Sequence, residues 1–127
     1  MIDLGVVVLG VSDRDRARAF WEAALSYRTR ADGLGGWAVV LEPADGRDGA
    51  RIALQRSETV PRSHPRMHLD LHVANADEQQ REVDRLITLG ATRIPWDYPE
   101  DPDFVVLADT EGNTFCVVEL GQHHPPT

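Results

Sequence analysis

The strongest constraint on the fold is an internal repeat. When the second half of the chain is shifted back by about 62 residues, His68 aligns with Val6 and Val73 aligns with Val11. Both halves then show one order, a strand followed by a helix and further strands. Repeated units of this size normally bury themselves against each other, so the repeat predicts two small α+β modules in one 127-residue domain.

The first half contains a strand, a helix and two more strands. Gly5–Val11 is β-branched and apolar, which predicts a strand buried on both faces. Ser12 and Asp13 are candidate N-caps, and apolar residues at helical spacing follow them, namely Ala17, Phe20, Trp21, Ala24 and Leu25. Trp37–Leu41 and Arg51–Arg56 are predicted strands separated by a turn.

The second half repeats this order. Met67–Val73 is a predicted strand, Asn75 a helix N-cap, and Gly90 a residue that ends the helix. Phe104–Leu107 and Thr114–Leu120 are the remaining predicted strands. The predicted boundaries are therefore residues 1–58 for the first module, 59–66 for a proline-containing linker, 67–121 for the second module, and 122–127 for a loose tail.

Charge and cysteine content exclude several classes of function. The formal net charge is −8, from 21 acidic against 13 basic residues, which disfavours binding to nucleic acid. The single cysteine, Cys116, excludes an intramolecular disulfide and a cysteine-rich zinc site. No segment resembles a signal peptide or a membrane span, so we expect a cytoplasmic protein without membrane partners.

The predicted strand Met67–Val73 alternates between polar and apolar residues. Because successive side chains of a strand point to opposite faces, its polar face carries three ionisable residues, His68, Asp70 and His72. Such a face favours acid–base chemistry or polar anchoring of a ligand, since histidine titrates near neutral pH. The alternative is a solvated face of the kind common on antiparallel sheets.

The same spacing limits metal binding by this strand alone. Alternate residues lie roughly 6.6 Å apart and the two histidines about 13 Å apart, so both histidines cannot share one ion. A neighbouring His–Asp pair can share an ion, but it needs a third ligand from another strand, which the sequence does not identify.

Three stretches resemble the vicinal oxygen chelate superfamily, which includes glyoxalase I, bleomycin- and fosfomycin-resistance proteins and extradiol dioxygenases. They are Val11–Asp13 with Ala19–Trp21, His68–Val73, and Leu107–Val117. The resemblance implies tandem βαβββ modules whose sheets form an open curved barrel around a cavity. It does not specify the reaction, because this fold hosts many activities.

The resemblance also implies where metal-dependent members hold their ion. The corresponding positions here are Val6, Ala53, His68 and Cys116. Because Val6 and Ala53 have no donor atom, we predict no metal ion at these four positions and no other cofactor. Gln55 and Glu119 could serve as metal ligands only if the alignment were shifted by a residue or two. The position of Glu119 in its strand also directs its side chain towards the helix.

Large aromatic and polar residues are candidates for contacting a ligand. The predicted ligand-binding set is Trp37, Gln55, Trp96, Tyr98 and Cys116. Trp37 begins a strand, so it is equally a candidate core residue. Cys116 is expected to be an inert thiol that faces the cavity. His64, His123 and His124 fall in the linker or tail and are expected to be solvated.

Three functions remain open. The first is binding of a small organic molecule without the usual metal site, for sequestration, for resistance or for an acid–base step by His68, Asp70 and His72. The second is a metal-dependent lyase, isomerase or dioxygenase that uses His68. The third is an accessory protein with a vestigial cavity. In each case we expect a symmetric homodimer, the commonest soluble assembly.

Overall fold

The computed structural model describes residues 1–31 and 36–121. Within them the chain forms two compact units that divide after Val60, each with one helix and four strands. The predicted tail, residues 122–127 with its two histidines, lies outside the described residues. No helix in the described part of the chain is both long and apolar enough to cross a membrane.

The first unit contains β1 (Val7–Val11), α1 (Arg14–Leu25), β2 (Tyr27–Thr29), β3 (Val39–Pro43) and β4 (Ile52–Arg56). Its sheet has the order β1-β4-β3-β2. β1 is parallel to β4, and the other pairs are antiparallel. The helix α1 packs on one face of this sheet, where Leu41 and Leu54 are fully buried.

The second unit repeats this arrangement. It contains β5 (Leu69–Val73), α2 (Ala76–Leu89), β6 (Thr92–Arg93), β7 (Phe104–Ala108) and β8 (Thr114–Glu119). Its sheet has the order β5-β8-β7-β6, with β5 parallel to β8. The predicted α+β class with a βαβββ module in each half is therefore confirmed. Neither sheet closes on itself, since each has two edge strands.

Local signals in the sequence account for both helices. The side chain of Asp13 accepts a hydrogen bond from the Arg16 backbone N–H and so caps α1, and Asn75 caps α2 through Glu78 in the same way. Gly90 ends α2 with a φ of 123°, a conformation that glycine adopts without strain. The buried residues of α1 all belong to the predicted apolar stripe, namely Ala17, Phe20, Trp21 and Ala24.

Two details of the strand prediction are wrong. β1 is not buried on both faces, since its burial alternates and Val8 is 42% exposed. The short edge strands β2 and β6 have no counterpart in the residue-level prediction. They contain three and two residues, too few to show a periodic pattern.

Candidate functional site

The polar face of β5 is the face that the alternation predicts. His68, immediately before β5, and Asp70 and His72 within it are exposed, whereas Leu69, Leu71 and Val73 are partly buried. The residues paired with these aliphatic side chains on β8 include Phe115 and Val117, which are almost completely buried. The helix α2 contacts both strands, so the aliphatic set belongs to the packed side of the sheet.

The register between β5 and β8 adds a third group to this face. Asp70 lies directly opposite Cys116, and Cys116 in turn lies opposite Val106 on the other side of β8. Cys116 is only 8% exposed, because β8 is an inner strand flanked by β5 and β7. A buried thiol therefore lies next to the exposed carboxylate.

The side chains of His68, Asp70 and Cys116 converge. The distance from His68 Nδ1 to Asp70 Oδ1 is 3.0 Å, and one donor atom from each of the three residues lies within 4.8 Å of the others. The carboxylate can accept a hydrogen bond only if Nδ1 carries the proton, which leaves Nε2 as the acceptor of a neutral His68 ring. We call these three residues the His–Asp–Cys cluster.

The Cys116 thiol is held in its neutral form. Its pKa is raised from 9.0 to about 11, chiefly by burial, then by the negative charge of Asp70 and by a hydrogen bond to Asp70. The thiol donates this hydrogen bond, since the carboxylate is the acceptor. Asp70 therefore contacts the ring of His68, just before its own strand, and accepts a hydrogen bond from a thiol on the neighbouring strand. The expectation of an unreactive thiol has a physical basis.

His72 does not belong to this cluster. It follows Asp70 by two residues on β5 and lies opposite Val118, and its side chain is exposed. Of the three residues proposed together from the sequence, the structure brings His68 and Asp70 into contact and leaves His72 apart. Strand spacing alone gives the His–Asp pair no third neighbour, and in the structure Cys116 lies in that place.

The predicted ligand-contacting residues are distributed over both units. In the first unit, Trp37 is 43% exposed and Gln55 is exposed opposite Gly10. In the second unit, the ring of Trp96 stacks on His64, which is exposed as expected, with centroids 4.3 Å apart. The Tyr98 hydroxyl accepts a hydrogen bond from the backbone N–H of Val106, which ties down the loop that carries Tyr98.

The four metal positions implied by the resemblance do not form a donor set. Val6 and Ala53 pack with Ala38 and Val40 in an apolar cluster of the first unit. No described side chain of that cluster can bind a cation. The residues present therefore do not fit a metal ion at the positions that the superfamily uses.

The registers of the two units support this alignment. Val8 pairs with Ala53 on β1 and β4 as Asp70 pairs with Cys116 on β5 and β8, so Ala53 is the structural counterpart of Cys116. Glu119 lies opposite Val73 and is 2% exposed, on the packed side of the sheet and away from Cys116. It is therefore not a replacement ligand at the His–Asp–Cys cluster.

Comparison with known proteins gives consistent results. A family model described as a glyoxalase-like domain matches residues 6–118. No curated protein sequence matches significantly.

Solved structures with the same fold include a glyoxalase/bleomycin resistance protein/dioxygenase family enzyme from Burkholderia phytofirmans PsJN. It has a TM-score of 0.72 and 20% identity, over 93% of this chain and 98% of that chain. A second structure is a mutant of the fosfomycin resistance protein FosX from Listeria monocytogenes, complexed with Mn(II) and 1S,2S-dihydroxypropylphosphonic acid. It has a TM-score of 0.72 and 17% identity, over 97% of this chain and 94% of that chain. A glyoxalase-related enzyme from Fulvimarina pelagi has a TM-score of 0.69 and 16% identity, over 100% of this chain and 98% of that chain.

Proposed function

Because the chain belongs to the glyoxalase-like family of vicinal oxygen chelate proteins, we propose that it binds a small organic molecule on the polar face of β5. In this proposal the family's usual four-position metal site plays no part. Binding serves sequestration or resistance, or an acid–base step in which His68 exchanges a proton with the bound molecule and Asp70 positions it.

The contact between His68 Nδ1 and Asp70 Oδ1 is the observation that carries the proposal. The two atoms are 3.0 Å apart, although both side chains are about half exposed. The carboxylate beside Nδ1 orients the ring and favours the tautomer that carries the proton on Nδ1. The acceptor Nε2 then remains for a donor group of a ligand.

Cys116 gives the carboxylate a fixed position. Asp70 is about half exposed, with 47% of its side chain accessible, but its interaction with a buried thiol on an inner strand links it to the sheet. A positioned acid–base pair needs this kind of support, because a ring that rotates freely loses most of the advantage of its partner. The Listeria relative that holds a small phosphonic acid supports an organic ligand of modest size for this chain.

A titration of isotope-labelled, chelator-treated protein with fosfomycin and with bleomycin tests the proposal. We expect amide chemical-shift changes concentrated in β5 and β8. His68→Gln and Asp70→Asn should weaken binding at least tenfold, and Arg81→Gln, exposed on α2 away from the polar face, should bind as the wild type does. Shift changes confined to other strands, or equal affinity of all variants, would contradict the proposal.

A metal-dependent lyase, isomerase or dioxygenase that uses His68 is the second candidate function. It is favoured by one observation, the convergence of three potential ligand atoms in the His–Asp–Cys cluster. An accessory protein with a vestigial cavity is the third candidate. The exposure of His68, Asp70 and His72 favours it, whereas the contacts of Asp70 with two partners oppose a purely solvated face.

A further inference from the structure

Three arginines of the first unit surround a single carboxylate. Arg28 on β2 donates two hydrogen bonds to Glu42 on β3, at 3.3 and 3.1 Å. The guanidinium groups of Arg30 and Arg51 lie 3.5 and 3.8 Å from the same carboxylate. We call these four residues the arginine cluster. Among the described residues, the ion pairs of Arg28 and Arg51 go to Glu42 alone, and one carboxylate cannot balance both guanidinium groups.

Strand pairing places the arginine cluster on the face of the sheet opposite to α1. Arg28 and Glu42 are direct partners across β2 and β3, and Arg51 immediately precedes β4. In the neighbouring row Leu41 pairs with Ile52, and both are almost completely buried. Because successive side chains of a strand point to opposite faces, the arginines lie on the other side of the sheet from this buried row.

The arginine cluster borders an open cavity of about 410 Å³. The cavity is lined by Arg28, Thr29, Arg30, Ala31, Glu42 and Arg51. The side chains of Arg28 and Arg51 are 59% and 50% exposed, whereas that of Glu42 is only 20% exposed. Arg28 uses two N–H groups on Glu42, which leaves three of the five donors that a guanidinium offers. Donors therefore remain at the cavity, while the carboxylate is largely covered.

We propose that the arginine cluster binds a small dianion of the phosphate class, either inorganic phosphate or the phosphate group of an organic ester. A guanidinium group can donate two parallel hydrogen bonds to phosphate oxygens, and its planar shape matches that geometry. Two guanidinium groups, those of Arg28 and Arg51, share Glu42 as their common ion-pair partner, which suits a ligand with two negative charges. Glu42 orients both groups from the side of the sheet.

The alternative is a network of ion pairs that only holds the strands together. Exposed ion pairs contribute little to stability, because solvent screens them, and a second and third arginine add still less once Glu42 has a partner. The formal net charge of −8 repels anions at long range, so a bound anion must be held by short hydrogen bonds to the cluster.

The substitution Glu42→Gln separates the two explanations. In a purely structural network, it removes the shared partner of the arginines and creates no binding. At an anion site, it removes the charge that repels the ligand and frees N–H donors of Arg28, so the affinity for phosphate should rise.

Titration of the isotope-labelled full chain with inorganic phosphate and with phenyl phosphate tests the proposal, with chloride used to keep the ionic strength constant. We expect saturable shift changes at the Nε–H groups of Arg28 and Arg51. Arg28→Gln and Arg51→Gln should each weaken binding by about tenfold, and Glu42→Gln should tighten it. Tighter binding of phenyl phosphate would identify an organic ester as the ligand, whereas tighter binding of inorganic phosphate would identify the free ion.

Arg56→Gln is the matched control. Arg56 is an exposed arginine of β4 that lies beside one carboxylate, Glu58, outside the arginine cluster, so this variant should bind as the wild type does. Circular dichroism checks that every variant is folded. If Arg51→Gln is not, Arg51→Lys takes its place, and it should bind more weakly than the wild type because it keeps the charge and loses the paired donors.

Four results would overturn the proposal. They are the absence of saturable binding of either phosphate compound, the same shift changes with chloride alone, unchanged affinity in the arginine variants, and weaker binding in Glu42→Gln. No residue of the arginine cluster belongs to the polar face of β5, so this proposal and the proposed function are tested by different variants.

Discussion

The ionisation of Cys116 offers a sharp test of the geometry around Asp70. The thiol pKa is raised from 9.0 to about 11, and Asp70 contributes two of the three causes, its charge and its hydrogen bond. Asp70→Asn removes the charge and keeps the size of the side chain. We therefore expect the pKa of Cys116 to fall in this variant, while remaining above 9.0 because burial, the largest cause, is unchanged.

The size of the effect follows from the fraction of thiolate. At pH 8 a thiol with a pKa of 9 is about 10% ionised, whereas one with a pKa of 11 is about 0.1% ionised, a difference of roughly 100-fold. Only the thiolate reacts with an alkylating reagent, so ionisation alone should slow alkylation of Cys116 by about this factor relative to an ordinary cysteine.

The assay is the rate of iodoacetamide alkylation between pH 7 and pH 11, followed by mass spectrometry. Burial lowers the rate at every pH, but the midpoint of the pH profile reports the pKa independently of access. His72→Gln is the matched control, because it changes an ionisable residue of the same face that does not contact the thiol. A wild-type midpoint near 9, or equal midpoints for wild type and Asp70→Asn, would refute the assigned contacts.

Four further predictions concern stability and assembly. Because the folded-state pKa of Cys116 is raised, its contribution to the free energy of unfolding is fully present below pH 9.0 and is lost as the pH rises through about 11. In urea denaturation at several pH values, Cys116→Ser should lose less of its free energy of unfolding at high pH than the wild type does. An unchanged pH dependence would contradict the role assigned to the thiol. Leu71→Ala should cost about 2 kcal/mol, near the lower end for aliphatic truncation because Leu71 is only partly buried, whereas Asp70→Asn should leave urea unfolding at pH 7 nearly unchanged. If Asp70→Asn were the more destabilising of the two substitutions, the faces of β5 would be misassigned. Tyr98→Phe should cost about 1–3 kcal/mol in the same assay, since it leaves the N–H of the buried Val106 without its acceptor, and a cost near zero would speak against this bond. Homodimer formation remains a prediction, which sedimentation of a monomer alone at micromolar concentration would contradict.

The parts of the fold that the sequence predicts are those set by local signals. Asn75 and Gly90 delimit α2 because an N-cap side chain and a glycine with positive φ act within one helical turn. The alternation around Asp70 assigns the faces of β5, because a strand has only two faces and a one-residue slip would exchange them. Neither inference needs information from distant parts of the chain.

The short edge strands could not be predicted from such signals. Tyr27–Thr29 and Thr92–Arg93 pair on one side only, with β3 and β7. Their extended conformation comes from that pairing and not from a pattern of their own. Tyr98 is likewise a predicted ligand contact because it is a large aromatic residue in a loop. Its bond to Val106 depends on the position of that loop beside β7, which no local pattern predicts.

The candidate site shows the same limit more clearly. Strand parity predicts that Cys116 faces the same side as Asp70, but it does not predict that the two are directly opposite each other. That depends on the register of a parallel pair joined through a helix and two further strands. The His–Asp pair could be proposed from neighbouring positions, whereas its third member required the sheet.

The internal repeat shows that side chains, not the backbone, distinguish the two units at the candidate site. Both units pair their first and last strands in the same register, so the backbone offers an equivalent position in each. In the first unit that position holds Ala53, which is fully buried against Ala38 and Val40. A thiol or carboxylate there would have no polar partner among these side chains and would be costly to bury. In the second unit Asp70 is exposed and partners the buried Cys116, so the polar group is tolerated. The first unit therefore uses this position for its core, and any chemistry at the equivalent place must come from the second unit alone.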